Sequence, residues 1–98
     1  MATFITTIKF TEQGLGKIRE TTKRAAAFKT AAKKMGVKIE NVYWTLGPFD
    51  GVLIFDAPNE QTATATMLQL ATQGNVQTAT SRAFLSAEMD KVLGMLPK

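Results

Sequence analysis

Tyr43 and Trp44 stand side by side in the run Val42-Tyr43-Trp44-Thr45-Leu46-Gly47-Pro48-Phe49-Asp50-Gly51, and with the cations Lys23, Arg24 and Arg82 they are the side chains best suited to hold a small ligand. A phenol and an indole offer flat apolar walls with one polar handle each. A guanidinium or ammonium beside such walls can hold a carboxylate or an enolate. Asp50 has two readings: a turn residue between two strands, or an acidic ligand contact. The others also have bland readings. Tyr43 and Trp44, as neighbours on a strand, point to opposite faces and could fill core and subunit interface. Lys23 and Arg24 follow Thr22 of an apolar stripe and could stand in water. Arg82, on a strand among residues of one face, would need a partner if buried, with Asp50 and Asp56 as candidates.

What is missing narrows the chemistry further. The 98 residues contain no cysteine and no histidine. Thiolate nucleophiles, thiolate metal sites and disulfides are excluded, as are imidazole bases and the common haem and metal ligand. We therefore expect no metal and no cofactor, and any catalysis would rest on carboxylates, Lys, Tyr or a substrate that supplies its own reactivity. Four of the five methionines, Met35, Met67, Met89 and Met95, fall on helical apolar faces and are expected to pack as core. Nine basic residues against two acidic ones lie between Lys9 and Lys38, a local charge of +7, while the remainder sums to −3. That gradient could attract a polyanion or could be one solvated helix face. The N-terminal segment lacks a basic leader followed by a long apolar stretch, and no apolar run reaches membrane-spanning length. A soluble cytoplasmic protein, with no membrane partner, is the expectation.

These side chains must be placed by a single domain over residues 1–98, since no linker, repeat or biased tract divides the chain. Phe4, Thr6, Ile8 and Phe10 alternate with Ile5, Thr7 and Lys9, the period of a strand. Thr11 is a helix N-cap with Glu12 in the first turn, and Leu15, Ile18, Thr22, Ala25, Phe28, Ala32 and Met35 draw one stripe along a helix of about six turns ending at Gly36. Gly14 and Gly16 weaken its first turn or permit a close backbone approach. The aromatic run and Val52-Leu53-Ile54-Phe55 read as two strands joined by a tight turn at Gly47, Pro48, Asp50 and Gly51. Because this third strand is apolar on both alternating faces, it should be central and covered on both sides. Asn59 caps a helix over Glu60 to Gln73, despite the alternating Thr62, Thr64 and Thr66. Val76 to Phe84 is a fourth strand, and Ser86 caps a last helix with Leu85, Met89, Val92, Leu93 and Leu96 on its apolar side. The order βαββαβ followed by an extra helix describes an α+β, ferredoxin-like fold. Helices on one face leave the other to a second copy of the sheet.

The residues Thr22-Lys23-Arg24, Phe28-Lys29, Met35-Gly36-Val37-Lys38, Val42 to Gly47 with Asp50, Ala57-Pro58, Gly74-Asn75-Val76 and Arg82-Ala83-Phe84 together resemble the GYD domain family. The resemblance runs from about Phe4 to Phe84 and leaves the last helix outside. Gly47-Pro48-Phe49-Asp50 occupies the naming motif, with Phe49 where the family has Tyr, so a phenolic role is lost there and a packing role retained. The resemblance implies a dimeric α/β barrel in which two sheets pack face to face. Relatives in fold include cofactor-free monooxygenases, haem enzymes and ligand-binding subunits, so it does not select a chemistry.

Three functions follow as expectations. The first is a homodimer, or higher homo-oligomer, acting as a binding or accessory module for a small aromatic or anionic ligand near Tyr43, Trp44, Arg82, Lys23, Arg24 and Asp50. The second is a cofactor-independent, monooxygenase-like enzyme acting on an enolisable or aromatic substrate. The third, RNA binding, is disfavoured: an RNA recognition motif shares this element order, but its third strand carries paired aromatics and a leading basic residue. Here that strand reads Asp50-Gly51-Val52-Leu53-Ile54-Phe55-Asp56.

Overall fold

The computed structural model describes residues 1–98. Its strands are β1 (Ala2–Phe10), β2 (Lys38–Trp44), β3 (Gly51–Ala57) and β4 (Val76–Ala83). They form one sheet in the order β2-β3-β1-β4, and every neighbouring pair is antiparallel. The helices are α1 (Glu12–Gly16), α2 (Thr21–Lys34), α3 (Glu60–Ala71) and α4 (Ser86–Leu93). No helix is long and apolar enough to cross a membrane.

Strand alternation splits the sheet into two unlike faces. Phe4 and Thr6 of β1 and Leu53, Phe55 and Ala57 of β3 are buried beneath the helices, where Phe28 and Ala32 of α2 and Ala63 and Met67 of α3 meet them. The Phe4 and Phe55 rings, opposite each other in the register, stack at 5.3 Å and 16°. The buried Thr6 hydroxyl is satisfied by Thr80 Oγ1 at 2.8 Å and lies 3.4 Å from Met67 Sδ. The opposite face is open. Ile5, 37% exposed, lies across from Ile54, with Val52 and Tyr43 beside them. The central, doubly apolar β3 expected from the sequence is therefore present, with helices over one face.

Local chemistry sets most element ends. Thr11 Oγ1 accepts the Gly14 N–H at 3.1 Å, and Asn59 Oδ1 accepts that of Thr62 at 2.7 Å, so both foreseen N-caps form. Gly36, at φ 82°, ends α2 as the Gly36 and Val37 N–H groups donate to the carbonyls of Lys33 and Ala32, the paired bonds of a Schellman end. The threonine-rich start of α3 is helical, and within it the Thr64 and Thr66 hydroxyls fold back onto the Glu60 and Thr62 carbonyls, each at 2.8 Å, so they do not compete for the helical N–H groups.

Four expectations need correction. The six-turn helix is broken: α1 stops at Gly16, a 3₁₀ turn spans Ile18–Glu20, and α2 starts afresh at Thr21. Leu15 is accordingly 57% exposed rather than seated on the core stripe. At Gly14 the backbone meets the Asn75 carbonyl with no room for a Cβ, which docks α1 on the segment before β4. The hairpin is wider than a tight turn, with residues 45–50 between the strands, and only Gly47 there has positive φ, at 139°. Gly51 serves close packing instead, since a Cβ would stand 3.0 Å from the Tyr43 carbonyl. Leu85, not Ser86, is the N-cap of α4, and its N–H donates to Glu88 Oε1 at 3.1 Å. The apolar side of α4 stays exposed at Leu85, Met89 and Leu93.

At the outer edge, β2 carries a bulge between Ile39 and Asn41, which inserts Glu40 out of register, and Lys38 pairs with Glu40 at 3.4 Å.

Candidate functional site

Where the N-terminal half of α2 and the C-terminal end of α3 diverge above the sheet, they leave a cavity of about 350 Å³. Its floor is the helix-facing side of the sheet, from Ile8 and Phe10 through Leu53 to Val42. That size is in the range of small-molecule sites. Apolar side chains make most of the lining, and Phe28 and Leu53 continue it into the buried core.

Trp44 closes one side. Its Nε1 donates to Thr21 Oγ1 at 3.0 Å, which clamps the indole to the first turn of α2 and leaves it 46% exposed. Tyr43 also borders the cavity, but alternation turns its ring to the open face, so the cavity receives its main chain. Asp50 sits at the end of the hairpin loop, where its Oδ2 accepts the Phe10 N–H at 2.8 Å and its own N–H donates to the Ile8 carbonyl at 2.8 Å. It is thus a turn residue and a wall residue together. Arg24 lines the cavity from α2 while its guanidinium donates to the carbonyls of Lys17 at 2.6 Å and Gly14 at 3.4 Å. Those bonds add to backbone ones, since the Gly14 and Lys17 carbonyls already accept the Lys17 and Glu20 N–H groups.

The remaining two candidate residues lie elsewhere. Lys23 is exposed on α2, outside the cavity lining. Arg82 lines a separate hollow between α3 and β4, with Phe4, Met67 and Thr80. Its foreseen partners were Asp50 and Asp56, but both are occupied otherwise: Asp50 by Phe10, and Asp56 by the Thr3 hydroxyl at 2.8 Å. The actual partner is Glu88 of α4 at 2.9 Å. The guanidinium also donates to the carbonyls of Thr3 and Ala83 and lies 4.7 Å from the Phe84 ring centroid and 5.7 Å from that of Phe4. Phe84 lies past the end of β4, whose span is one residue shorter than the alternation suggests.

Glu88 is held below the ordinary value of 4.5, first by the Leu85 N–H and then by Arg82. A lowered carboxyl contributes to stability above its unfolded value and loses that contribution as pH falls through the folded one. Acidification below about pH 4.5 is therefore expected to release the first turn of α4 from Arg82. The Leu85 amide resonance should titrate with a midpoint below that of a free glutamate; a midpoint at the free value would remove the bond.

Gln69, Gln73 and Asn75 also border the cavity and were not foreseen. Gln69 lies in the last turn of α3, and Gln73 and Asn75 follow its end, so no helical spacing groups the three.

A four-stranded antiparallel sheet in the order β2-β3-β1-β4 under two long helices is a ferredoxin-like α+β domain, the fold expected from the sequence. The chain belongs to the GYD domain family, which matches residues 4–93. That span takes in α4, which the resemblance read from the sequence had left outside. The chain is 30% identical over 90 residues to the glutamine synthetase and cystathionine beta-lyase binding protein of Thermus thermophilus, covering 91% of this chain and 95% of that one. The crystal structure of MtbAldR has a TM-score of 0.68 to it at 14% identity, over 87% of this chain and 52% of that chain. This chain thus spans about half of MtbAldR, and the likeness is one of fold.

Proposed function

We propose that the protein is a homodimeric accessory module of the α/β barrel kind, acting in the cytoplasm, which binds other proteins and takes a small, partly aromatic or anionic ligand in the cavity beside Trp44. The observation that carries the dimer is the open sheet face. Ile5, Val52 and Ile54 make an apolar centre there, rimmed by Thr3, Thr7, Asn41 and Ser81. A contiguous patch of that kind on a small domain marks a contact surface. Two such faces packed together would bury at least ~1,000 Å² in total. The accessory role is supported by the relative described as binding two enzymes. A nucleic-acid role gains nothing from the geometry, because the β1 and β3 positions of the open face hold Ile5, Val52 and Ile54 where bases would need aromatic rings.

Light scattering at micromolar concentration should give twice the chain mass. Ile54→Lys, which would bury two unpaired ammonium groups across a two-fold contact, should weaken dimerisation by at least about 100-fold while leaving the far-ultraviolet circular dichroism unchanged. A wild-type monomer under those conditions would overturn the dimer.

A further inference from the structure

The cavity holds one cation and one carboxylate, and they do not pair with each other. Arg24 and Asp50 both line it, yet the chain's ion pairs join Lys38 to Glu40 and Arg82 to Glu88. Each group is half-buried and tethered by the backbone. Asp50 spends Oδ2 on the Phe10 N–H, and Oδ1 accepts no hydrogen bond within the chain. Arg24 donates through Nη1 and Nη2 to two carbonyls, and a guanidinium has five N–H groups, so donors remain. A simple anion in this space would meet Arg24 favourably and Asp50 unfavourably. A simple cation would meet the reverse. A ligand carrying both charges satisfies both walls.

Resting on the ligand-binding reading above, we propose that the cavity takes a small zwitterion, a free amino acid with an apolar or aromatic side chain. Its carboxylate pairs with Arg24, where a planar fork matches two oxygens. Its ammonium pairs with Asp50 Oδ1. The side chain lies against Phe28, Leu53 and the Trp44 indole, and the amides of Gln69 and Gln73 border the charged end. The cavity of about 350 Å³ suits a molecule of this size and is small for a larger metabolite.

Trp44 is the only tryptophan and lines the cavity, so its emission reports occupancy of the whole protein directly. Three probes share one phenyl group and differ in charge: L-phenylalanine, 3-phenylpropanoate without the ammonium, and 2-phenylethylamine without the carboxylate. L-phenylalanine should give a saturable change, and both single-charge analogues should bind at least about 10-fold more weakly. Asp50→Asn keeps an acceptor for the Phe10 N–H, and Arg24→Lys keeps the charge. Asp50→Asn should lose about 10-fold for L-phenylalanine but not for 3-phenylpropanoate, and Arg24→Lys should retain part of the affinity that Arg24→Gln loses. Equal affinity for L-phenylalanine and 3-phenylpropanoate would overturn the zwitterion and leave an anion site standing. No saturable change with any probe at millimolar concentration would remove the ligand site altogether.

Discussion

Phe55→Ala is expected to destabilise the protein by about 4 kcal/mol, near the upper part of the range for deleting a buried aromatic. The side chain is fully buried at the centre of β3, the strand flanked by β2 and β1. Its ring stacks on Phe4 at 5.3 Å, so truncation removes an aromatic contact as well as burial. Neighbours cannot close the gap cheaply, because Phe4 belongs to the paired β1 and Ala57 is already small. A single domain of this size has about 5–15 kcal/mol in total. The variant should therefore melt about 20 °C lower. Urea unfolding followed at Trp44 measures the loss, and Phe55→Leu should recover most of it. A loss below about 1 kcal/mol would mean that the core collapses around the missing ring.

Gly14 and Gly16, two residues apart in the sequence, should respond to alanine with opposite signs. Gly14→Ala adds a methyl where the Asn75 carbonyl oxygen already sits, with the carbonyl carbon at 3.0 Å and Cα at 3.3 Å from the new atom. The obstacle is main chain and cannot rotate aside. It is also held in place, since the Thr11 N–H donates to the Asn75 carbonyl at 3.1 Å and the Thr11 hydroxyl to that of Gly74 at 2.6 Å. The helix preference of alanine, worth about 1 kcal/mol, is overridden, and we expect a net loss of about 2–3 kcal/mol. Gly16→Ala, with nothing within 4 Å of its added atom, should instead gain about 0.5–1 kcal/mol. Equal responses in chemical denaturation would show that the contact with Asn75 yields.

The same pair marks where sequence reasoning stopped. The stripe from Leu15 to Met35 has helical spacing throughout, and spacing does not register that Gly14 must dock on a segment sixty residues later. The caps at Thr11, Asn59 and Gly36 were legible because each is a bond between near neighbours in the chain. So was the two-faced character of β3, which alternation alone displays. Arg82 was correctly expected to need an acid, and the wrong ones were favoured. Asp50 precedes β3 and Asp56 lies within it, whereas Glu88 is brought beside Arg82 by the turn through Leu85; a glutamate three residues past the N-cap was the overlooked sign. For the cavity, Trp44 was visible as a wall. That Arg24 and Asp50 face one space is a product of how α2 leans over the hairpin, which no local pattern encodes.

The bulge at Glu40 bears on the fate of the chain in bulk. A sheet whose two faces are both partly apolar has, in β2, a free row of backbone donors and acceptors at its rim, the kind of rim on which further strands of other molecules can grow. The extra residue shifts that row out of register, and Lys38 and Glu40 set charges along it. An incoming strand finds only short stretches to match on either side of the kink. The β2 rim is thus poorly matched to fibril growth even beside an open apolar face.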